Sequence, residues 1–256
     1  MLRAQDLLAT LRVSVFTPDD LALVKGGPQG RREFLDDALV SAHPNLLVLC
    51  QTVERVLRQR SALLRQSGGV PSPEVLATLD VWDYKLAEAG GTLVAAREKF
   101  LAELEPLAAA AFCNLTRRDD ELQLVYERSF SGGLGEALSL ARREDLRRGT
   151  TTIGPQRDEI AITAGGLDAR TRLSQGRQRC VTLALRLAAH AAVTAAAGSR
   201  PVLLLDDAFS ELDEATTRSL LSELPAGQAV LTTAGEIPPG ARPAAVVRLE
   251  AGGIVG

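Results

Sequence analysis

The sequence predicts an α/β protein with a parallel sheet and a separate helical segment, and three observations carry that prediction. Val202, Leu203, Leu204 and Leu205 form an unbroken apolar run between Pro201 and Asp206. Such a run suits a strand buried on both faces of a parallel sheet. Upstream, Ser174-Gln175-Gly176-Arg177-Gln178-Arg179 opens a long Ala/Leu-rich helix. Between them in character, Val75, Leu79, Trp82, Leu86, Ala89, Leu93, Ala96 and Phe100 repeat at alternating gaps of four and three. That 3.5-residue period belongs to a seam between long helices.

Composition sets the bounds. The 256 residues are 46% hydrophobic and only 4% aromatic, so the core is built mostly of Leu, Val and Ala. A net charge of −3 leaves no global basic field, and any contact with nucleic acid must be a local patch. Cys50, Cys113 and Cys180 are odd in number and widely spaced, which fits neither a disulfide framework nor a zinc site. The first residues lack the apolar centre of a signal peptide, and no run is read as membrane-spanning. The expectation is a soluble cytoplasmic protein with no membrane partner.

In chain order, residues 11–16 alternate apolar and polar and read as a strand. Thr17-Pro18-Asp19-Asp20 follows as a helix start. Lys25 lies before Gly26-Gly27 rather than after a glycine loop, so no Gly-x-x-x-x-Gly-Lys-Ser/Thr run is present here or elsewhere. Residues 46–64 place apolar side chains on one helical face, and Ser72-Pro73-Glu74 starts the next helix. On periodicity alone the two helices fit an antiparallel arm or a compact bundle equally well. Gly90-Gly91 interrupts the second helix. Residues 121–127 alternate as a strand, and residues 134–148 form a helix whose Arg142, Arg143, Arg147, Arg148, Glu144 and Asp145 read as a solvated face. Residues 153–158 are a loop, Ile160 and Ile162 mark a strand, and Gly165-Gly166 is a hairpin turn. Residues 229–233 read as a further buried strand and residues 245–249 as the last.

The chemistry gathers at two points. Ser174 is a good N-cap, and Gly176 in the first turn lets a ligand approach the backbone. Unpaired amides and the helix dipole would then face a phosphate; the plainer reading is a capped helix with exposed arginines. Asp206 and Asp207 would stand side by side at the carboxyl end of a parallel strand, where ligands bind in such sheets. Two adjacent carboxylates there suit a Mg²⁺ carrying a nucleotide phosphate. Asp206 would hold the ion through water, and Asp207 would orient or deprotonate the attacking water. Ser210-Glu211-Leu212-Asp213 turns the chain into another helix.

LSQGRQR, LLLDD and SELD, in this order and spacing, resemble the signature motif, Walker B and D-loop of ABC-type ATPases related to SMC. The finer similarity is to the RecF family of bacterial DNA replication and repair proteins. VFTPDDLALVKGGPQGRREFLDD, ERVLRQR, LDVWDYKLAEAG, TTTIGPQRDE and LDARTRLSQGRQR resemble family segments in family order. The resemblance implies a P-loop NTPase lobe of the ABC type over residues 1–28 and 116–256, with an antiparallel helical arm lobe inserted at 29–115. It implies Asp207 as catalytic and Asp206 as metal ligand. It further implies Ser174, Gln175, Gly176, Gln178, Ser210 and Asp213 as contacts to a nucleotide held by an opposing subunit. Gln156 stands where the family usually has His, so that loop is assigned no ligand role.

The family pattern normally begins with roughly a hundred residues carrying Walker A, and this chain starts inside the pattern. The expectation is therefore that the chain alone binds ATP poorly, and uses ATP and Mg²⁺ only with a complementing Walker A. The strands near Val202 would then leave apolar edges uncovered, favouring an oligomer. Implied partners are DNA at single-strand gaps and junctions, RecO and RecR, and a second copy or an intact subunit. The implied function is ATP-dependent DNA binding, recombinase loading and SOS induction. The alternative is a non-hydrolysing interaction module or fragment that pairs with a full-length ATPase.

Overall fold

The computed structural model describes residues 12–210, 212–250 and 253–255; Leu11 of the first expected strand and Glu211 of the SELD turn lie outside them. Strand β1 (Val13–Phe16) leads through a 3₁₀ turn at Pro18–Leu21 into α1 (Ala22–Lys25) and α2 (Pro28–Ala42). Helices α3 (Leu47–Gln66) and α4 (Pro73–Thr116) follow, then β2 (Leu122–Glu127), α5 (Leu134–Arg148), β3 (Glu159–Ala164) and β4 (Leu167–Asp168). The remainder is α6 (Gln175–Ala197), β5 (Val202–Asp206), α7 (Glu214–Glu223), β6 (Ala229–Thr232), β7 (Arg248–Glu250) and β8 (Gly253–Val255).

The sheet that carries the paired aspartates has the order β1-β5-β6, with both pairings parallel. One face is in the core: Phe16, Leu203 and Leu205 are each 1% exposed. This face meets α6, where the buried His190 places Nδ1 2.9 Å from Ser14 Oγ on β1. The opposite face, formed by Val13, Val15 and Val230 in register with Val202 and Leu204, is 40–47% exposed at its three outer valines. Burial on both faces of β5 is thus corrected to burial on one. The strand predicted as buried over residues 229–233 is an exposed outer strand at Ala229–Thr232, the last in its sheet among the described residues. Strands β2, β3 and β4 form a separate antiparallel sheet.

Helix α4 organises the rest. Ser72 caps it by accepting from Val75 N at 3.3 Å, and it runs 44 residues, roughly 66 Å at 1.5 Å per residue. Leu79, Leu86, Leu93 and Phe100 are buried, whereas Val75, Trp82, Ala89 and Ala96 are half-buried, as the 3.5-residue seam requires. Its first half packs on α3 and α5, and its second half on α6, with Leu104, Ala108, Phe112 and Leu115 in the core. One helix therefore forms the hairpin and enters the main core. Gly90-Gly91 does not break it. A Cβ at Gly90 would sit 2.9 Å from Leu134 Cδ2 and 3.4 Å from Pro155 Cγ, so the missing side chain admits α5 and the 149–158 loop. Gly91 has open space around it.

Buried charges tie these helices together, and they revise the reading of α5 as a solvated face. Arg60, fully buried in α3, donates to Asp83 of α4 and to Asp145 of α5, each at 2.7 Å. Arg142 also pairs with Asp83 at 2.6 Å. Only Arg143, Glu144, Arg147 and Arg148 occupy the solvent side as expected for that helix. Helix α6 is long and apolar enough, at 23 residues, to pass for a membrane span by composition, which corrects the reading that no run is so long. Here it is mostly buried as a core helix.

Two predictions follow from this packing. Gly91→Ala should raise the melting temperature, because Ala favours a helix interior by about 1 kcal/mol. Gly90→Ala must displace the buried Leu134 and should be less stable than Gly91→Ala by about 1–3 kcal/mol, read by urea unfolding. Burial pushes the imidazole of His190 below its ordinary 6.5. Below pH 6.5 the unfolded chain then binds a proton that the folded chain refuses. Stability should fall as pH drops from 6.5 through the folded value, and His190→Gln should flatten that slope in melting curves.

Candidate nucleotide site at the sheet end

The sequence places Asp206 as the last residue of β5 and Asp207 just beyond it, and the parallel register sets β6 alongside. Thr232 of β6 donates its hydroxyl to Asp206 Oδ1 at 2.5 Å, and Asp206 is otherwise exposed. Asp207 N donates to the Thr232 carbonyl at 3.2 Å. With φ of 46°, Asp207 lies in the left-handed region, which Asp tolerates better than most residues. This turn swings the half-buried Asp207 toward the end of β1, and its carboxylate accepts no hydrogen bond among the described residues. It borders a cavity of about 50 Å³ shared with Thr17, Asp20, Arg179, Thr182 and Ser210. The Asp20 carboxylate accepts from Thr17 N at 2.8 Å and pairs with Arg186 of α6. The cavity walls are thereby anchored to the same helix.

At the N-terminus of α6, Ser174 Oγ accepts from Arg177 N at 3.5 Å. Gln175 and Gly176 are exposed, and a Cβ at Gly176 would meet nothing within 4 Å. Their amides donate to no acceptor among the described residues. The arginines around this point divide, with Arg179 lining the cavity already described. Arg170 and Arg172 are exposed, whereas Arg177 turns back to Asp120 at 2.7 Å and lies over Phe112. Gln178 is 5% exposed, and its amide nitrogen donates to the carbonyls of Ala169 and Arg170 at 3.0 and 2.8 Å. In this structure its side chain shapes the loop before α6 rather than opening to solvent. Ser210 donates to the Asp207 carbonyl at 3.0 Å, and Asp213 caps α7 by accepting from Thr216 N at 2.7 Å. That bond holds the Asp213 carboxyl below the usual range.

Sequence reading missed Thr232 as the partner of Asp206. It also missed Thr17 and Asp20 as neighbours of Asp207. Pairing register and the turn at Asp207 bring these together, and neither can be read from local pattern. No group of three His, Cys, Asp or Glu side chains among the described residues could enclose a metal by itself. One carboxylate with an adjacent hydroxyl does fit Mg²⁺ bound mainly through water and phosphate oxygens.

A half-open parallel sheet ending in paired aspartates, a long helix with a capped and uncrowded start and a long helical hairpin are the parts of an ABC-type ATPase fold. No family model matches the chain, but individual proteins do. The fold is similar to the recombination mediator protein RecF of the RecFOR pathway solved with ATPrS, at a TM-score of 0.81 and 27% identity. That match covers 92% of this chain and 66% of the other. The form of that mediator solved with ATP gives 0.77, over 88% and 63%. DNA replication and repair protein RecF of Streptomyces avermitilis is 40% identical over 248 residues, 91% of this chain and 66% of that one. Its counterpart in Beutenbergia cavernae is 36% identical over 91% of this chain and 68% of its own length. The chain belongs to the RecF family, and it spans about two thirds of the length of the curated relatives it matches.

The internal bonds of Gln178 can be tested directly. Gln178→Leu keeps the volume but leaves two buried carbonyls without a donor, at a cost of about 1–3 kcal/mol. Amide exchange of residues 169–173 should accelerate, while exchange in β2 stays unchanged.

Proposed function

We propose that the chain serves RecF-type DNA replication and repair as the carboxylate and signature part of a composite ATP site. The observation that carries this reading is the open Ser174–Gly176 helix start, lying in one chain with Asp206 and Asp207 at the sheet end. Asp206 holds Mg²⁺ and Asp207 positions the attacking water, once triphosphate is bound. Ser174 with the free amides of Gln175 and Gly176 receives the γ-phosphate of a nucleotide on an opposing subunit. Ser210 and Asp213 shape the turn that meets that subunit, and Gln178 acts indirectly through the loop it ties.

The phosphate-cradling loop is the part that no run of these 256 residues supplies. The chain therefore binds ATP only with a Walker A provided by another segment or subunit. Closing the composite site couples ATP to DNA gap binding and, with RecO and RecR, to recombinase loading and SOS induction in the cytoplasm. In this reading, 1–28 with 116–256 form the ATPase lobe and 29–115 the arm lobe. The second reading, a non-hydrolysing module docking on an intact ATPase, uses the same helix start without Asp207.

Complementation separates the two. An intact RecF relative with its signature serine replaced should hydrolyse ATP again when this chain is added, and Ser174→Ala should abolish the rescue. Supplying Walker A to this chain should restore turnover that Asp207→Asn removes by at least about 100-fold. Micromolar binding of labelled ATP by the chain alone would rule out the composite site.

A further inference from the structure

Residues 149–158, which join α5 to β3, are held by an unusual concentration of buried charge. At their start, the fully buried Asp145 carboxylate accepts from Thr152 N at 2.8 Å, and the fully buried Arg60 donates to Thr151 Oγ1 at 2.9 Å. In the middle, the buried Arg97 donates to the Pro155 carbonyl at 2.7 Å. At their end, the fully buried Asp158 accepts from Ser129 N and from the Tyr126 hydroxyl, both at 2.7 Å. Arg32 donates to the Asp158 carbonyl at 2.6 Å.

Buried ion pairs are often no more stabilising than apolar side chains of the same volume. Stability alone therefore does not account for so many of them under one surface loop. What they do supply is a single loop geometry, as a preorganised binding element needs.

The side chain this loop presents outward is Arg157. It is exposed, and its Nε donates to the Thr151 carbonyl at 3.3 Å, which fixes its direction. Its two Nη groups have no acceptor among the described residues. Arg65 stands beside the loop's start, its Cγ 3.4 Å from where a Gly149 Cβ would lie, and it too is exposed and without an ion pair. The exposed Arg58, Arg128, Arg147, Arg148 and Arg218 each pair with a glutamate, whereas Arg157 and Arg65 are among the exposed arginines that have no ion pair among the described residues. The loop's single acid, Asp158, is buried, so the charge the loop presents outward is that of Arg157, on a chain of net charge −3.

We propose that this loop is a nucleic-acid contact in which the Nη fork of Arg157, with Arg65 at the loop's start, binds phosphate oxygens of a DNA backbone. The inference rests on the DNA-binding part of the function proposed above and gives it a location. A planar guanidinium with two free nitrogens matches two phosphate oxygens. Contacts of this kind position DNA without reading its sequence.

Anisotropy of a labelled single-stranded oligonucleotide, titrated with the full chain over a salt series, tests the proposal. Arg157→Gln should weaken binding roughly fivefold and reduce the slope of log affinity against log salt by about 1. Arg65→Gln should add a comparable loss. Arg200→Gln, an exposed arginine beside Gly227, should change neither. Since Arg157 is exposed, its variant should melt with the wild-type chain. Equal affinity and slope for Arg157→Gln, with DNA still bound, would overturn the loop contact and leave the DNA reading standing. No DNA binding by the wild-type chain would overturn both. Polyglutamate binding that is lost in Arg157→Gln while DNA binding is kept would assign the loop to an acidic protein partner and overturn the proposal.

Discussion

The fold depends on Arg97 at the middle of α4. Its guanidinium grips the Asp36 carboxylate of α2 with two bonds of 2.7 Å, and it also reaches the Pro155 carbonyl and the Tyr126 hydroxyl. Four separate stretches of chain therefore meet on one buried cation. Burial pushes the phenol of Tyr126 upward, so it stays protonated as the donor to Asp158. Breaking such a group by removing one partner strands the others without solvent, which is why its geometry is all-or-none. The same logic recurs nearer the N-terminus of α4, at Asp83, where Arg60 joins α3, α4 and α5.

Through these contacts α4 and its neighbours are tied to α2, β2 and the 149–158 loop. Helix α4 carries Asp83 at the arm, Arg97 at the junction and Phe112 beneath Arg177 at the start of α6. Helix α6 then runs from the open Ser174 cap to His190 behind β1, passing Arg179, Thr182 and Arg186 beside the cavity that Asp207 borders. The Ser174 cap and the cavity that Asp207 borders thus share the N-terminal half of one rigid helix. The exposed valines of β1 and β6 mark the side of the sheet on which the described residues place no layer.

Much of this was legible in order along the chain. The 3.5-residue seam located α4 because apolar spacing alone decides which side of a helix is buried. The Ser72 and Ser174 caps marked helix starts, since a side-chain acceptor for an unpaired amide is a local requirement. Long-range polar contacts were not legible. Asp145 read as a surface residue because three charged neighbours surround it in sequence, yet it is fully buried against Arg60, 85 residues away. The bonds of the Gln178 amide to the carbonyls of Ala169 and Arg170 were likewise not visible in the local pattern.

The sequence by itself determined the α/β class, the order of strands and helices, the two caps and the position of Asp206 and Asp207 at a strand end. Each of these follows from neighbours within a few turns, where periodicity and hydrogen-bonding demand act locally. Only the tertiary structure decided that Thr232 meets Asp206, that β5 is covered on one face, that Gly90 is a contact point and that the 149–158 loop rests on buried charge. Those facts depend on which distant segments share a dielectric and a packing surface, and nothing in local pattern carries that information.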